Sequence, residues 1–314
     1  MINRRSFIKK STFLGAASLI GPGLMKSFAN SRKNLKGLDI AIVNGEKYFE
    51  NTKKAVKMLG GMKRFVSPNS KVGLLINNDF TNLGAYVNPD VSIAVLKMCY
   101  DAGASEVVSL QNIKPEYWER STLADTYREE INNLKIVKPN QFPAEFNDTD
   151  FELLKLPEGN ALKELEIVKE LLNCDVLINI PIAKHHASTS FTCGIKNMMG
   201  LNTRKSNVYC HTEGPERLDP IFLGQCLAEM SKFHKSDLIV VDAIEFIITN
   251  GPNGPGKLIK LNKVVAGTDI VGVDSLCASY LDYPPEDIVS IKKAYDIGLG
   301  EIDLNKLNVQ EFEG

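Results

Sequence analysis

The sequence predicts an α/β protein with a mostly parallel sheet flanked by helices, built as one unit or as two lobes. Short apolar runs at residues 38–43, 71–76, 176–180 and 238–241 alternate with helical patterns, the signature of strands covered on both faces. Residues 71–110 read as strand, helix, Gly103 and strand, a parallel βαβ unit. Polar groups stand just past several strands, where open α/β sheets place their ligands.

In chain order, the strand at 38–43 leads into a helix over 46–59. Phe49, Ala55, Val56 and Leu59 share one face of it, and Gly60-Gly61 ends it. The strand at 71–76 is followed by Asn77, Asn78 and Asp79. A helix over 89–102 has Pro89 in its first turn and Val91, Val95, Leu96 and Met98 as its buried stripe; a strand follows at 106–110. A helix over 117–131, a short strand at 135–137 and a loop over 139–148 come next. Leu162, Leu165, Val168, Leu171 and Leu172 then give an amphipathic helix over 161–172. The strand at 176–180 stops at Pro181, and a small-residue helix is expected over 191–199. Beyond it lie a helix at 220–233, a strand at 238–241 ending at Asp242, and a Gly/Pro loop from Gly251 to Gly256. A strand at 263–266, helices at 273–281 and 286–297 and a strand at 307–309 complete the chain.

The N-terminus reads as an export signal. Asn3-Arg4-Arg5-Ser6-Phe7-Ile8-Lys9 resembles the twin-arginine motif, an apolar run follows over 13–25, and Ser27-Phe28-Ala29 offers a cleavage site. The expected organisation is a signal peptide at 1–29, a linker at 30–36 and a single α/β domain at 37–314. The expected partner is the twin-arginine export machinery and the expected location the periplasm. An uncleaved basic tail or anchor is the alternative. The signal holds five basic residues and no acid; without it, 32 of the 37 Lys and Arg face 38 Asp and Glu, a net charge of −6. That disfavours nucleic acid, which requires a basic footprint. No later stretch is long and apolar enough to make an integral membrane protein. Six cysteines without C-x-x-C spacing argue against a ferredoxin-type iron–sulfur cluster or zinc ribbon, and their pairings cannot be chosen from sequence.

Candidate chemistry concentrates at 175–201. Lys184 and Lys196 suit an anionic group, Lys196 because it lies in an otherwise apolar segment; solvated surface lysines are the competing reading. His185 and His186 face opposite ways on a strand, and His186 is preferred for the site. His211 and Asp242 join it. The set His186, His211 and Asp242 could ligate a divalent metal, or a histidine could serve as general base; hydrogen-bonded structural histidines and a turn-capping Asp242 remain open. Asn197 and Asn78 are ligand-binding candidates, and His234 fits a helix-end dipole contact.

These residues resemble a known family. P-x-x-K-x-H (Pro181, Lys184, His186), K-N-x-x-G (Lys196, Asn197, Gly200), His211, Asp242, the G-P-x-G-P-G loop, the segment from Asp269 to Asp274 and Gly298-Leu299-Gly300 are similar to the bacterial and archaeal domain of unknown function 362. The likeness runs over about residues 71–309. The resemblance implies no general activity. Many members carry ferredoxin-type modules, which this sequence lacks. It also departs at Ile76-Asn77-Asn78, where similar proteins more often show Lys-Pro-Asn; the change would remove one cation from the rim. The expected function is an exported enzyme acting on an anionic small molecule in a Lys184/His186/Lys196/Asn197/His211/Asp242 pocket, with a divalent metal as an option. The alternative is a non-catalytic periplasmic binding or accessory protein using the same pocket.

Overall fold

A strand that is apolar at every position needs cover on both faces, and the central strands of this protein have it. The computed structural model describes residues 37–137 and 149–314; the expected signal peptide, linker and 139–148 loop lie outside the described residues. The chain enters through β1 (Ile40–Asn44) and α1 (Tyr48–Met58), then β2 (Lys71–Ile76), α2 (Pro89–Asp101) and β3 (Glu106–Ser109). Asn88 caps α2, its side chain accepting from Asp90 N at 2.9 Å, with Pro89 next in the first turn. Two short helices, α3 (Pro115–Trp118) and α4 (Arg128–Asn133), lead to β4 (Lys135–Ile136). The single helix expected over 117–131 is therefore two pieces separated by turns.

The helix expected over 161–172 is absent. The segment forms β6 (Glu164–Val168), antiparallel to β5 (Phe151–Lys155), and a 3₁₀ turn at Lys169–Asn173. Its leucines fit a helical stripe, but tertiary partners fix it extended. Glu166, buried, accepts from Thr203 Oγ1 at 2.7 Å and pairs with Lys205 at 2.8 Å. Just upstream the buried Glu229 carboxylate accepts the N–H groups of Asn160, Ala161 and Leu162.

β7 (Val176–Ile180) is fully buried and is followed by the small hairpin β8 (Lys184–His186) and β9 (Ser190–Thr192). Then come α5 (Gly194–Asn197), α6 (Arg204–Thr212), α7 (Pro220–Phe233), β10 (Leu238–Ile247), β11 (Leu258–Gly267), α8 (Ile270–Ser279), α9 (Val289–Asp296) and β12 (Val309–Glu313). The small-residue helix expected over 191–199 is thus a strand, one turn of helix and a 3₁₀ turn. The strand expected to end at Asp242 continues to Ile247 and pairs with β11 across the Gly/Pro loop, so Asp242 lies inside a strand.

The main sheet has the order β12-β1-β11-β10-β7-β2-β3-β4. Seven strands run one way and β11, the return arm of the hairpin, runs against them. It is the mostly parallel α/β sheet that the sequence predicts. α1 packs on α2, β1 and β11, while α5, α7, α8 and α9 pack against one another. No described helix is long and apolar enough to cross a membrane. At the amino ends of β2, β3 and β4, Lys71, Glu106, Lys135 and Glu170 form an ion-pair network, with Lys71–Glu106 at 3.0 Å and Lys135–Glu170 at 3.0 Å. The carboxyl ends are left for other work.

Candidate functional site

β2, β7 and β10 are parallel neighbours, and Ile182 bridges to Asp242 just past the end of β7. The polar segments after these strands therefore lie along one edge. On β8 the alternation of a strand puts Lys184 and His186 on one face and His185 on the other. Lys184 and His186 are buried and His185 is half-buried. His185 Nδ1 accepts from Gly251 N at 3.0 Å. A Cβ on Gly251 would stand 1.7 Å from His185 O, so only glycine allows this approach. His186 Nδ1 accepts from Ser188 N at 3.1 Å.

Lys184 is completely enclosed. Its Nζ donates to Ala85 O, lies 3.5 Å from Asn77 Oδ1 and sits 4.2 Å from the centre of the Phe80 ring. Burial, then the charge of Lys196, lowers its ammonium to about 7, with Asp79 pulling the other way. Asn77 is also an amide link: its Nδ2 donates to Asn197 Oδ1 at 3.1 Å, and Asn197 Nδ2 donates to Asn179 Oδ1 at 2.8 Å and Leu75 O at 3.1 Å. Asn179, the polar residue in the apolar run of β7, donates to Gly194 O at 2.9 Å. Three asparagines thus lock α5 onto β2 and β7, which makes Asn197 a positioning residue in this structure.

α5 starts at a buried carboxylate. Gly194 N and Ile195 N donate to Asp274 Oδ1 and Oδ2 at 2.8 and 3.0 Å. Burial pushes Asp274 up to about 7 despite these bonds. The helix presents Lys196, which is half-buried and whose Nζ has no hydrogen-bond or ion-pair partner among the described residues. Burial lowers its ammonium to about 8. His186 is pushed down to about 2 by burial first, then by Lys196, Lys184, His211 and His185. His211, half-buried on α6, has Nδ1 2.7 Å from Asn207 O and is lowered by burial, with Lys196 and Arg204 adding to that. Lys184, Lys196, His186 and His211 therefore form one basic constellation, in which Lys196, Lys184, His211 and His185 are the charges that most lower His186.

Asp242 and Asn78 stand apart. Asp242 is closed to solvent, and its two oxygens accept Asn88 N at 2.6 Å and Ile244 N at 2.8 Å. Burial raises it to about 7. It ties the 77–88 segment to β10. Asn78 is buried and donates to Ile76 O at 3.0 Å. Among the described residues no three His, Cys, Asp or Glu side chains gather in a metal-holding group. His186, His211 and Asp242 are not gathered in such a group, and each Asp242 oxygen accepts a backbone N–H. An open groove between α1 and α2, lined by Lys53, Lys57, Met58 and Met62, shares no residue with the basic constellation.

Sequence reasoning missed Asn179, Phe80 and the carboxylate of Asp274. Asn179 had a visible signal, a lone amide in a five-residue apolar strand. Phe80 and Asp274 had none, since their roles depend on contacts made far along the chain.

Among proteins similar to this one is a thylakoid-associated protein of Synechocystis sp., 26% identical over 248 residues, covering 77% of this chain and 72% of the relative. Among solved structures, the lactate racemase apoprotein from Thermoanaerobacterium thermosaccharolyticum is 14% identical with a TM-score of 0.47. That match covers 85% of this chain and 58% of the racemase. A protein from Thermotoga maritima is 14% identical with a TM-score of 0.36, covering 63% of this chain and 51% of that one. The family model described as Domain of unknown function (DUF362) matches residues 71–279, the span that holds every residue of the basic constellation, and the chain belongs to that family.

Proposed function

We propose that the chain is an enzyme that binds an anionic small molecule at Lys196, His186 and His211 and moves a proton with Lys184. The observation that carries this reading is the Lys196 ammonium, which has no hydrogen-bond or ion-pair partner among the described residues and lies near the His186 imidazole that Lys196, Lys184, His211 and His185 all push down. An anion here relieves that repulsion and supplies the missing acceptor. Lys184, lowered to about 7, exchanges its proton near neutral pH, as a general acid or base requires. His186 stays neutral above pH about 2, so its ring serves as a hydrogen-bonding group rather than a cation.

Titration of inorganic phosphate, sulfate and short carboxylates into the protein by calorimetry tests the reading. Lys196 must be protonated to bind an anion, so affinity is present below its value of about 8 and falls as pH rises through it. Affinity that is flat from pH 7 to about 9.5, or no binding of any anion, would sink the proposal.

Capture without turnover is the second reading. It is favoured by the enclosure of Lys184, whose Nζ is held by Ala85 O beneath Phe80 and reaches a ligand only if the 77–88 segment shifts. Proton spectra of a bound carboxylate in heavy water separate the two. Solvent deuterium entering carbon positions, and its loss in Lys184→Met, marks the enzyme; a ligand bound and unchanged marks capture.

The Arg4-Arg5 motif supports export to the periplasm as part of the same proposal. Fractionation of cells making the full chain should find it in the periplasm, and Arg4→Lys with Arg5→Lys should hold it in the cytoplasm. Equal distribution of the two forms would argue for a different fate.

A further inference from the structure

All six cysteines are free thiols and all are buried. Six cysteines allow 15 complete pairings, and their spacing chooses none. The packing of four elements does choose. Cys193 is the residue that opens α5, and the first two N–H groups of that helix run to Asp274 on α8. Cys277 lies three residues further along α8, on the same side of the helix as Asp274. After burial, Cys277 and Asp274 are the groups that most raise the Cys193 thiol, which marks both as its near neighbours. On the other flank, α6 packs on α7, with the rings of Tyr209 and Phe222 5.8 Å apart. Cys210 follows Tyr209, and Cys226 is one helical turn after Phe222. The Cys210 thiol donates to Ser206 O at 3.2 Å, and Cys210 is the neighbour that most raises the Cys226 thiol.

We propose that Cys193 with Cys277, and Cys210 with Cys226, are two built dithiol pairs, each of which closes to a disulfide when the chain meets a small-molecule disulfide oxidant. The first bridge would clamp the start of the helix that carries Lys196; the second would clamp α6 beside His211. In each closure one protein thiolate attacks the oxidant, X–S–S–X, and the mixed disulfide formed is attacked by the second protein thiol. One S–S bond forms in the protein, one breaks in the oxidant, and two electrons and two protons pass to give two X–SH. The thiolate is the attacking form; burial raises the Cys193 thiol, and Cys210 together with burial raises the Cys226 thiol, so closure proceeds through local opening of the α5–α8 and α6–α7 contacts.

The test uses the full chain and needs no anion, so its result is independent of the ligand reading. Reduced protein is incubated with oxidised glutathione, with and without urea below the unfolding midpoint. Remaining thiols are alkylated, and the protein is digested without reduction and mapped by mass spectrometry. The expected result is peptides joining Cys193 to Cys277 and Cys210 to Cys226, appearing faster with urea, together with a melting temperature that rises on oxidation and returns on reduction. Cys277→Ala should remove the first linkage and keep the second. Predominant linkages through Cys99 or Cys174, glutathione adducts in place of internal bridges, or no linked peptide under either condition would each overturn the proposal.

Discussion

Lys196→Met is expected to weaken anion binding by about 10- to 150-fold, since a hydrogen bond to a charged group contributes ~1.5–3 kcal/mol and each 1.4 kcal/mol is a factor of ten. Methionine keeps the unbranched apolar stem that fills the half-buried path and removes only the ammonium. The fold should be undisturbed, because Nζ makes no bond among the described residues whose loss could unfold it. Calorimetry with inorganic phosphate reads the affinity, and a melting curve checks the fold. Lys196→Arg sharpens the result. A guanidinium remains charged at every pH used, so the fall in affinity near pH 8 should vanish while binding persists. A Met variant that binds as the parent does would remove Lys196 from the site.

Asp274→Ala is expected to lower stability by ~2–6 kcal/mol from two orphaned buried N–H groups at ~1–3 kcal/mol each. The two donors are Gly194 N and Ile195 N, and a cavity where the carboxyl stood adds to the loss. The effect should reach the ligand as well, because the same carboxylate sets the start of the helix that presents Lys196. Asp274→Asn is the informative companion. Its amide offers one acceptor and turns a donor toward an N–H, so it should recover part of the stability. Chemical denaturation of the three forms measures this. Equal stabilities would show that α5 is held by the asparagine links alone.

What the sequence made legible followed from local signals. Pro89 marks a helix start by a first-turn preference that involves only local backbone, and the helices expected over 89–102 and 220–233 both stand where expected. The apolar runs of β2 and β7 announce their own burial. The segment 161–172 was not legible, because its leucines satisfy a helical stripe and, at Leu165 and Ile167, a strand alternation too. The pairing with β5 decided between them, and no local signal reveals a partner strand. Within the site, Lys196 was legible as a cation in apolar company. Asp242 was misplaced for the opposite reason: a carboxylate after an apolar run reads as a strand end. Here it is a buried acceptor inside a long strand, made tolerable by Asn88 N and Ile244 N.

The order of strands bears on how this chain can be made. β2 and β3 find both their partners, and β7 its β2 edge, within residues 71–180, so the middle of the sheet can begin to pair while synthesis continues. β1 cannot: Ile40 pairs with Gly267 on one side and Val309 on the other, and both neighbours emerge more than two hundred residues later. An apolar strand with both edges open is a template for wrong pairing. Its safety during synthesis rests on α1, whose Phe49, Ala55 and Val56 bury against the core and give the waiting strand a local cover before its true neighbours arrive.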